Sequence, residues 1–226
     1  MLHRNSMLKE NMGNTEQKEL LEICGGKKYS VIYADPAWSY DFKDPTASKG
    51  GAKGSGYSAG VNYYYGTMTI EEILRLPVKD ICEKNAVCFL WATNPLLPEA
   101  LATMKAWGFK YKTCITWHKE RCKGMGYWFR GHTEHLLLGT KGTVKAFRSL
   151  EHNIKKLPVE KHSKKPNEFR KMIEVVTEGM TRIELFARQR CDGWDAWGNE
   201  TDKFEDNKTK TFNNSFPKES LFGNLK

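Results

Sequence analysis

Short apolar runs alternate along the chain with segments whose apolar residues recur every three or four positions, a pattern that predicts strands interleaved with helices. Tyr29 to Ala34 (YSVIYA) reads as a buried strand ending at Asp35-Pro36, and Ala86 to Trp91 (AVCFLW) as a second. Phe109 to Trp117, Glu134 to Leu138 and Arg182 to Ala187 (RIELFA) are further strands. Thr69 to Arg75 carries a capping box, with Thr69 as N-cap and Glu72 three residues on. Pro95 to Trp107 suits a helix stopped by Gly108. Lys165 to Glu178 places Phe169, Met172, Ile173 and Val176 on one helical face, opened by Pro166 and closed by Gly179. Such an order predicts an α/β fold, a mostly parallel sheet with helices on both faces.

The polar segments divide the chain. Residues 1–28 read as an N-terminal extension, 29–200 as one domain, and 201–226 as a Lys- and Asn-rich tail expected to be loose. The stretch from Asp41 to Gly66 is rich in Gly, Ser and Tyr, and a loop of that length inside a domain is expected to be functional or disordered. No window approaches eighteen apolar residues and the first 28 lack a secretory apolar core, so neither membrane nor secretion is expected. The six cysteines form no Cys-x-x-Cys pair; reduced, mostly buried thiols and no metal site are expected. A net charge of +9 favours a polyanionic partner, because neutralised phosphates release counterions.

In sheets of this kind ligands bind at the carboxyl ends of the strands. Two segments fall there: Asp35-Pro36-Ala37-Trp38, and Arg188 to Glu200. The first matches the needs of a weak nucleophile such as the exocyclic amine of adenine, whose lone pair is delocalised into the ring. Asp35 and the Pro36 carbonyl can accept its two N–H bonds and draw the nitrogen toward a tetrahedral state. Pro36 brings no competing N–H donor of its own. Trp38 offers a face on which a base can stack. The alternative is an ordinary Asp-Pro turn with Trp38 in the core.

With those residues in place, the chain resembles the N6-adenine methyltransferases that carry an Asp-Pro-Pro-Trp signature, which include the messenger-RNA adenosine methyltransferase and bacterial and phage DNA-adenine relatives. The likeness runs through VIYADPAW from Val31, YGTMTIEEI from Tyr65, VCFLWATNP from Val87 and GYWFRGHTEHLLLGTKG from Gly126. It continues through HSKKPNEFR from His162, RIELFARQR from Arg182 and WGNE from Trp197. The resemblance implies a Rossmann-like class I methyltransferase, a seven-stranded sheet with permuted motif order, and S-adenosylmethionine as cofactor. It implies that Asp35, Pro36 and Trp38 are catalytic, and that Asp35 also meets the methionine amino group. Lys165 would hold the methionine carboxylate, and Arg188, Asn199 and Glu200 the ribose and adenine. Tyr65 and Glu134 would lie on the substrate side.

One departure is Ala37, where the signature has its second Pro, a change expected to cost loop rigidity rather than chemistry. Since the chain resembles the compact bacterial and phage members, DNA is the expected substrate and partner, flipped out of the stack before methylation. Lys43, Lys49 and Lys53 would follow the phosphates. RNA methylation is the alternative, as is a non-catalytic nucleic-acid-binding subunit; a homodimer or a homologous partner subunit stays open. The expected location is the cytoplasm of a bacterial or phage-infected cell.

Overall fold

The computed structural model describes residues 15–38, 68–122, 124, 128–160, 164–199 and 201. They form a seven-stranded sheet in the order β5-β3-β4-β2-β1-β6-β7. The strands are β1 (Tyr29–Ala34), β2 (Cys82–Thr93), β3 (Lys110–Glu120), β4 (Thr133–Lys141), β5 (Ile154–Pro158), β6 (Arg182–Leu185) and β7 (Asp195–Trp197). Pairs β1–β2, β1–β6, β6–β7 and β3–β5 are parallel, while β4 runs antiparallel to both β2 and β3. Six strands therefore share one direction and β4 alone opposes them. The carboxyl ends of those six and the start of β4 lie along one edge.

Alternation along β1 and β2 explains why both faces are covered. Ile32 and Ala34 of β1 and Ala86, Cys88, Leu90 and Ala92 of β2 enter one core cluster. Their neighbours Val31, Tyr33, Val87, Phe89 and Trp91 enter the other. The first face is covered by helices α1 (residues 15–24), α2 (Ile70–Arg75), α3 (Val78–Ile81) and α4 (Leu97–Ala106), which supply Leu20, Ile73, Ile81 and Met104. The second is covered by α5 (Asn167–Val176), through Phe169, Met172 and Ile173. This is the α/β, Rossmann-like arrangement expected from the sequence.

The local signals mostly locate their elements. Strand β1 has the expected bounds, and α2 has both halves of its capping box: Glu72 N–H donates to Thr69 Oγ1 and Thr69 N–H to the Glu72 carboxylate. The expected Pro95 to Trp107 helix divides into a 3-10 turn, Asn94–Leu96, and α4. Gly108, at φ +85°, ends it in a conformation that glycine adopts without strain. Helix α1, strands β5 and β7, and the single turn α3 were not anticipated. Part of the expected N-terminal extension is thus a helix whose Leu20 and Cys24 join the core. Cys24, Cys82 and Cys88 are buried, Cys114, Cys122 and Cys191 half-buried, and all six are free thiols. No described helix is long and apolar enough to cross a membrane. The 41–66 loop with Lys43, Lys49, Lys53 and Tyr65, together with Glu200 and all of the tail beyond Thr201, lies outside the described residues.

Candidate active site

The carboxyl edge of the sheet gathers the chemistry. β1 ends at Ala34 and delivers Asp35 into the crevice beside β6, where Asp35 N–H reaches the Leu185 carbonyl at 3.5 Å. Lys165, just before α5, crosses to the same place: its Nζ lies 2.8 Å from Asp35 Oδ1 and 3.0 Å from Oδ2. The same ammonium stands 3.3 Å from Glu134 Oε2 and 5.3 Å from the centre of the buried Trp91 ring. Glu134, near the start of β4, is also bonded by Lys119 from β3. The result is a line of alternating charge, Lys119–Glu134–Lys165–Asp35, with each of the four side chains at most 20% exposed.

Burial works against the charged form at both inner groups, and the neighbours overturn it. For Glu134, burial raises the pKa, but the Lys165 and Lys119 ammoniums outweigh it and leave the carboxyl below its ordinary value. For Lys165, burial lowers the pKa, Arg188 adds to that, and the Asp35 and Glu134 carboxylates still carry it above its ordinary value. At neutral pH the line is fully ionised at these two positions.

Beside Asp35 the cleft is walled by two loops that follow β6 and β7. Phe186 and Arg188 come from the first, Gly198 and Asn199 from the second, with Trp197 at the end of β7. The Ala187 N–H donates to the Trp197 carbonyl at 2.9 Å, and Phe186 meets Trp197 edge-on at 5.3 Å. Gly198 is required by this approach: a Cβ there would lie 2.6 Å from both the nitrogen and the oxygen of Ala187. Phe186 takes φ +61°, strain worth about 1–3 kcal/mol for a side-chain-bearing residue, at the point where the chain leaves β6 for the cleft. Helix α1 adds Glu16, whose Oε2 is buried with no hydrogen-bond partner among the described residues.

The structure thus brings Asp35, Lys165, Glu134, Arg188 and Asn199 to one edge, although they span the chain. Arg188 lines the cleft on both sides of Asp35, and Asn199 is exposed at its rim. Pro36 is buried, and its carbonyl accepts a hydrogen bond from Trp38 N–H at 2.9 Å, leaving its second lone pair for a ligand. Trp38 is 5% exposed and packed in the core cluster with Met68, so in this conformation the ring expected to stack on a base faces protein. Ala37 stands half-buried on the cleft wall.

Four charged residues of the site were missed: Glu16, described above, Lys119, Glu184 and Arg170. Lys119 gave no signal beyond charge. Glu184 and Arg170 form an ion pair at 2.5 Å in the wall next to Lys165 and Arg188. The signal for Glu184 was present: an acid inside the apolar run RIELFA must be paired or neutral. Burial pushes its carboxyl up to about 7 against the pull of the Arg170 guanidinium.

The crevice has a built complement for an amino-acid zwitterion. Asp35 can accept from an ammonium and Lys165 can bind a carboxylate, and without a ligand the two satisfy each other. A donor set of this kind fits the methionine end of S-adenosylmethionine. Among the described residues, no group of three His, Cys, Asp or Glu side chains could hold a metal ion.

The MT-A70 family model matches residues 29–200. The type II methyltransferase M.MunI of Mycoplasma sp. is 31% identical over 202 residues, covering 86% of this chain and 87% of that protein. A putative N(6)-adenosine-methyltransferase MT-A70-like protein of Medicago truncatula is 29% identical over 189 residues, 80% of this chain and 27% of its own length. The N(6)-adenosine-methyltransferase catalytic subunit of Homo sapiens is 28% identical over 185 residues, 77% of this chain. The chain spans about 28% of that longer protein.

Proposed function

The chain belongs to the MT-A70 family, and from that premise we propose that it transfers a methyl group from S-adenosylmethionine to the N6 amino group of adenine in DNA. The observation that carries the reading is the placement of Asp35 at the end of β1 with Lys165 Nζ 2.8 Å away, in a cleft that Arg188 and Asn199 also line. DNA is preferred because a relative matched over 87% of its own length is named a type II methyltransferase. The similarity to N(6)-adenosine-methyltransferases supports RNA as the second reading.

In this mechanism Lys165 would hold the cofactor's carboxylate and Asp35 its amino group, while Arg188 and Asn199, with the Glu200 that the resemblance assigns beside them, would hold the ribose and adenine. The bound cofactor supplies a methyl on a positively charged sulfur, open to in-line displacement by an amine. Asp35 and the free lone pair of the Pro36 carbonyl accept the two N–H bonds of the target nitrogen and orient its lone pair. Glu134 would line the acceptor side, to which the resemblance also assigns Tyr65. The extra proton passes to water once the nitrogen carries four bonds and has become a strong acid, so no strong base is required. Trp38 contributes a stacking face only if its ring leaves the core, and otherwise fixes the turn that aims Asp35.

The test is transfer of a labelled methyl from S-adenosylmethionine to matched DNA and RNA oligonucleotides, with folded Asp35→Ala as control. Label on N6-adenine in DNA, lost in the variant, supports the reading. Label only in RNA moves the substrate assignment to the second reading. Cofactor binding without transfer to either sinks both, and oligonucleotide binding without cofactor binding would mark a non-catalytic subunit.

A further inference from the structure

The two most exposed large aromatic side chains among the described residues are neighbours in sequence. Trp128 is 93% exposed and Phe129 88%, so neither ring packs on the protein. They belong to the connection between β3 and β4. Its base is closed: Lys119 N–H donates to the His132 carbonyl at 2.8 Å, and a Cβ on Gly124 would lie 2.7 Å from the His132 ring. The rings therefore stand beyond a sealed stem. Arg130 follows them directly and Arg121 opens the connection; both are exposed, against one exposed acid, Glu120.

An isolated exposed aromatic is ordinary, but two consecutive ones followed directly by an exposed arginine, in a connection that another exposed arginine opens, hold unfilled stacking faces together with positive charge. The connection leaves β3 and enters β4 at the sheet edge that holds Asp35. Glu134 of the charge line is six residues from Trp128, a separation of at most about 21 Å. A duplex advances about 3.4 Å per base pair, so such a span covers roughly six of them. Resting on the nucleic-acid substrate proposed above, we infer that Trp128 and Phe129, with Arg121 and Arg130, form a platform that stacks on nucleotides flanking the target adenine. The arginines meet the phosphates and the rings take bases. The platform binds strand outside the acceptor pocket and serves affinity rather than chemistry.

The test uses the full chain and a fluorescein-labelled 20-nucleotide DNA containing adenines, single-stranded and as a duplex, read by anisotropy at fixed salt. Trp128→Ala/Phe129→Ala is compared with wild type and with the ring-retaining Trp128→Phe. Cofactor binding is followed by calorimetry and oligomeric state by light scattering. Loss of one stack weakens binding by about 5- to 150-fold, so the double variant falls by at least that while Trp128→Phe stays within a few-fold. Cofactor affinity and mass stay unchanged. Equal DNA affinity in wild type and double variant overturns the platform but leaves the substrate reading intact. A drop in oligomeric mass with unchanged DNA affinity also overturns it, in favour of a protein-docking surface. If wild type binds the cofactor but neither DNA form, the DNA reading fails and the platform with it.

Discussion

Lys165 Nζ sits 2.8 Å from Asp35 Oδ1 across 130 residues of chain, each side chain less than a fifth exposed. A buried pair of this kind is weak evidence for stability, because desolvation offsets most of the attraction. Its value is as a template: both charges are already dehydrated and aligned, and a ligand with one ammonium and one carboxylate can replace each partner with its own complement. Glu134 sets a second carboxylate 3.3 Å from Lys165 Nζ, so the ammonium has a partner besides Asp35.

Replacing Lys165 by Met should therefore weaken cofactor binding as well as destabilise the fold. Loss of one charge-assisted hydrogen bond costs about 1.5–3 kcal/mol, equivalent to roughly 10- to 150-fold in affinity. Asp35 and Glu134 would be left without the cation between them, and the melting temperature should also fall. Calorimetry with S-adenosylmethionine checks this; wild-type affinity in a folded variant would remove Lys165 from the site.

Glu134 in the charge line and Glu184 in its ion pair respond oppositely to pH. The Glu134 carboxyl is depressed, so its contribution is present above its unfolded value of 4.5 and is lost as pH falls through the lower folded value. Lys165 is raised, so its contribution persists up to its unfolded value of 10.5 and is lost only above it. Glu184 is a carboxyl raised from 4.5 to about 7, so the folded state binds more protons between those values and stability falls as pH rises through that window. Glu184→Gln should match wild type near pH 5, where the acid is largely neutral, and gain on it by pH 8. Thermal melts across pH 5 to 8 check it, and parallel profiles for the two proteins would refute it.

Much of this was legible in sequence because it is local or periodic. The capping box of Thr69 and Glu72, the bounds of β1 and the apolar face of α5 are each set by neighbours within a few positions. The resemblance supplied Lys165, Arg188, Asn199 and Glu134 without saying how they meet. What escaped reading depends on partners far along the chain. β7 is three residues long and exists by pairing with β6, and β5 exposes alternate residues at the sheet edge, where apolar periodicity is weak. Helix α1 buries little more than Leu20 and Cys24 among polar residues, too few to stand out. Lys119 becomes a site residue only because β3 pairs Trp117 opposite Glu134.

Gly198→Ala tests the closeness of the two cleft loops. Its Cβ would meet backbone atoms of Ala187 at 2.6 Å, and backbone cannot swing aside as a flexible side chain can. Forced expansion costs about 1–3 kcal/mol and should part Arg188 from Asn199, lowering both melting temperature and cofactor affinity. Unchanged values for both would mean that the loops are not held at this spacing in solution.

Trp38 poses the sharpest contrast between signature and structure. The signature assigns its ring to a base, whereas the ring is 5% exposed in the core beside Met68. If the packed position dominates, Trp38→Ala loses about 3–5 kcal/mol of stability, the usual cost of deleting a large buried aromatic, and Trp38→Phe loses much less. The expected outcome is this large loss in Trp38→Ala, measured by denaturant unfolding with cofactor absent. Trp38→Phe should then show near-normal stability with methyl transfer retained, because a smaller ring still fills most of the space and fixes the turn that carries Asp35. A stability change below about 1 kcal/mol in Trp38→Ala would show that the ring spends most of its time out of the core, free to receive a base.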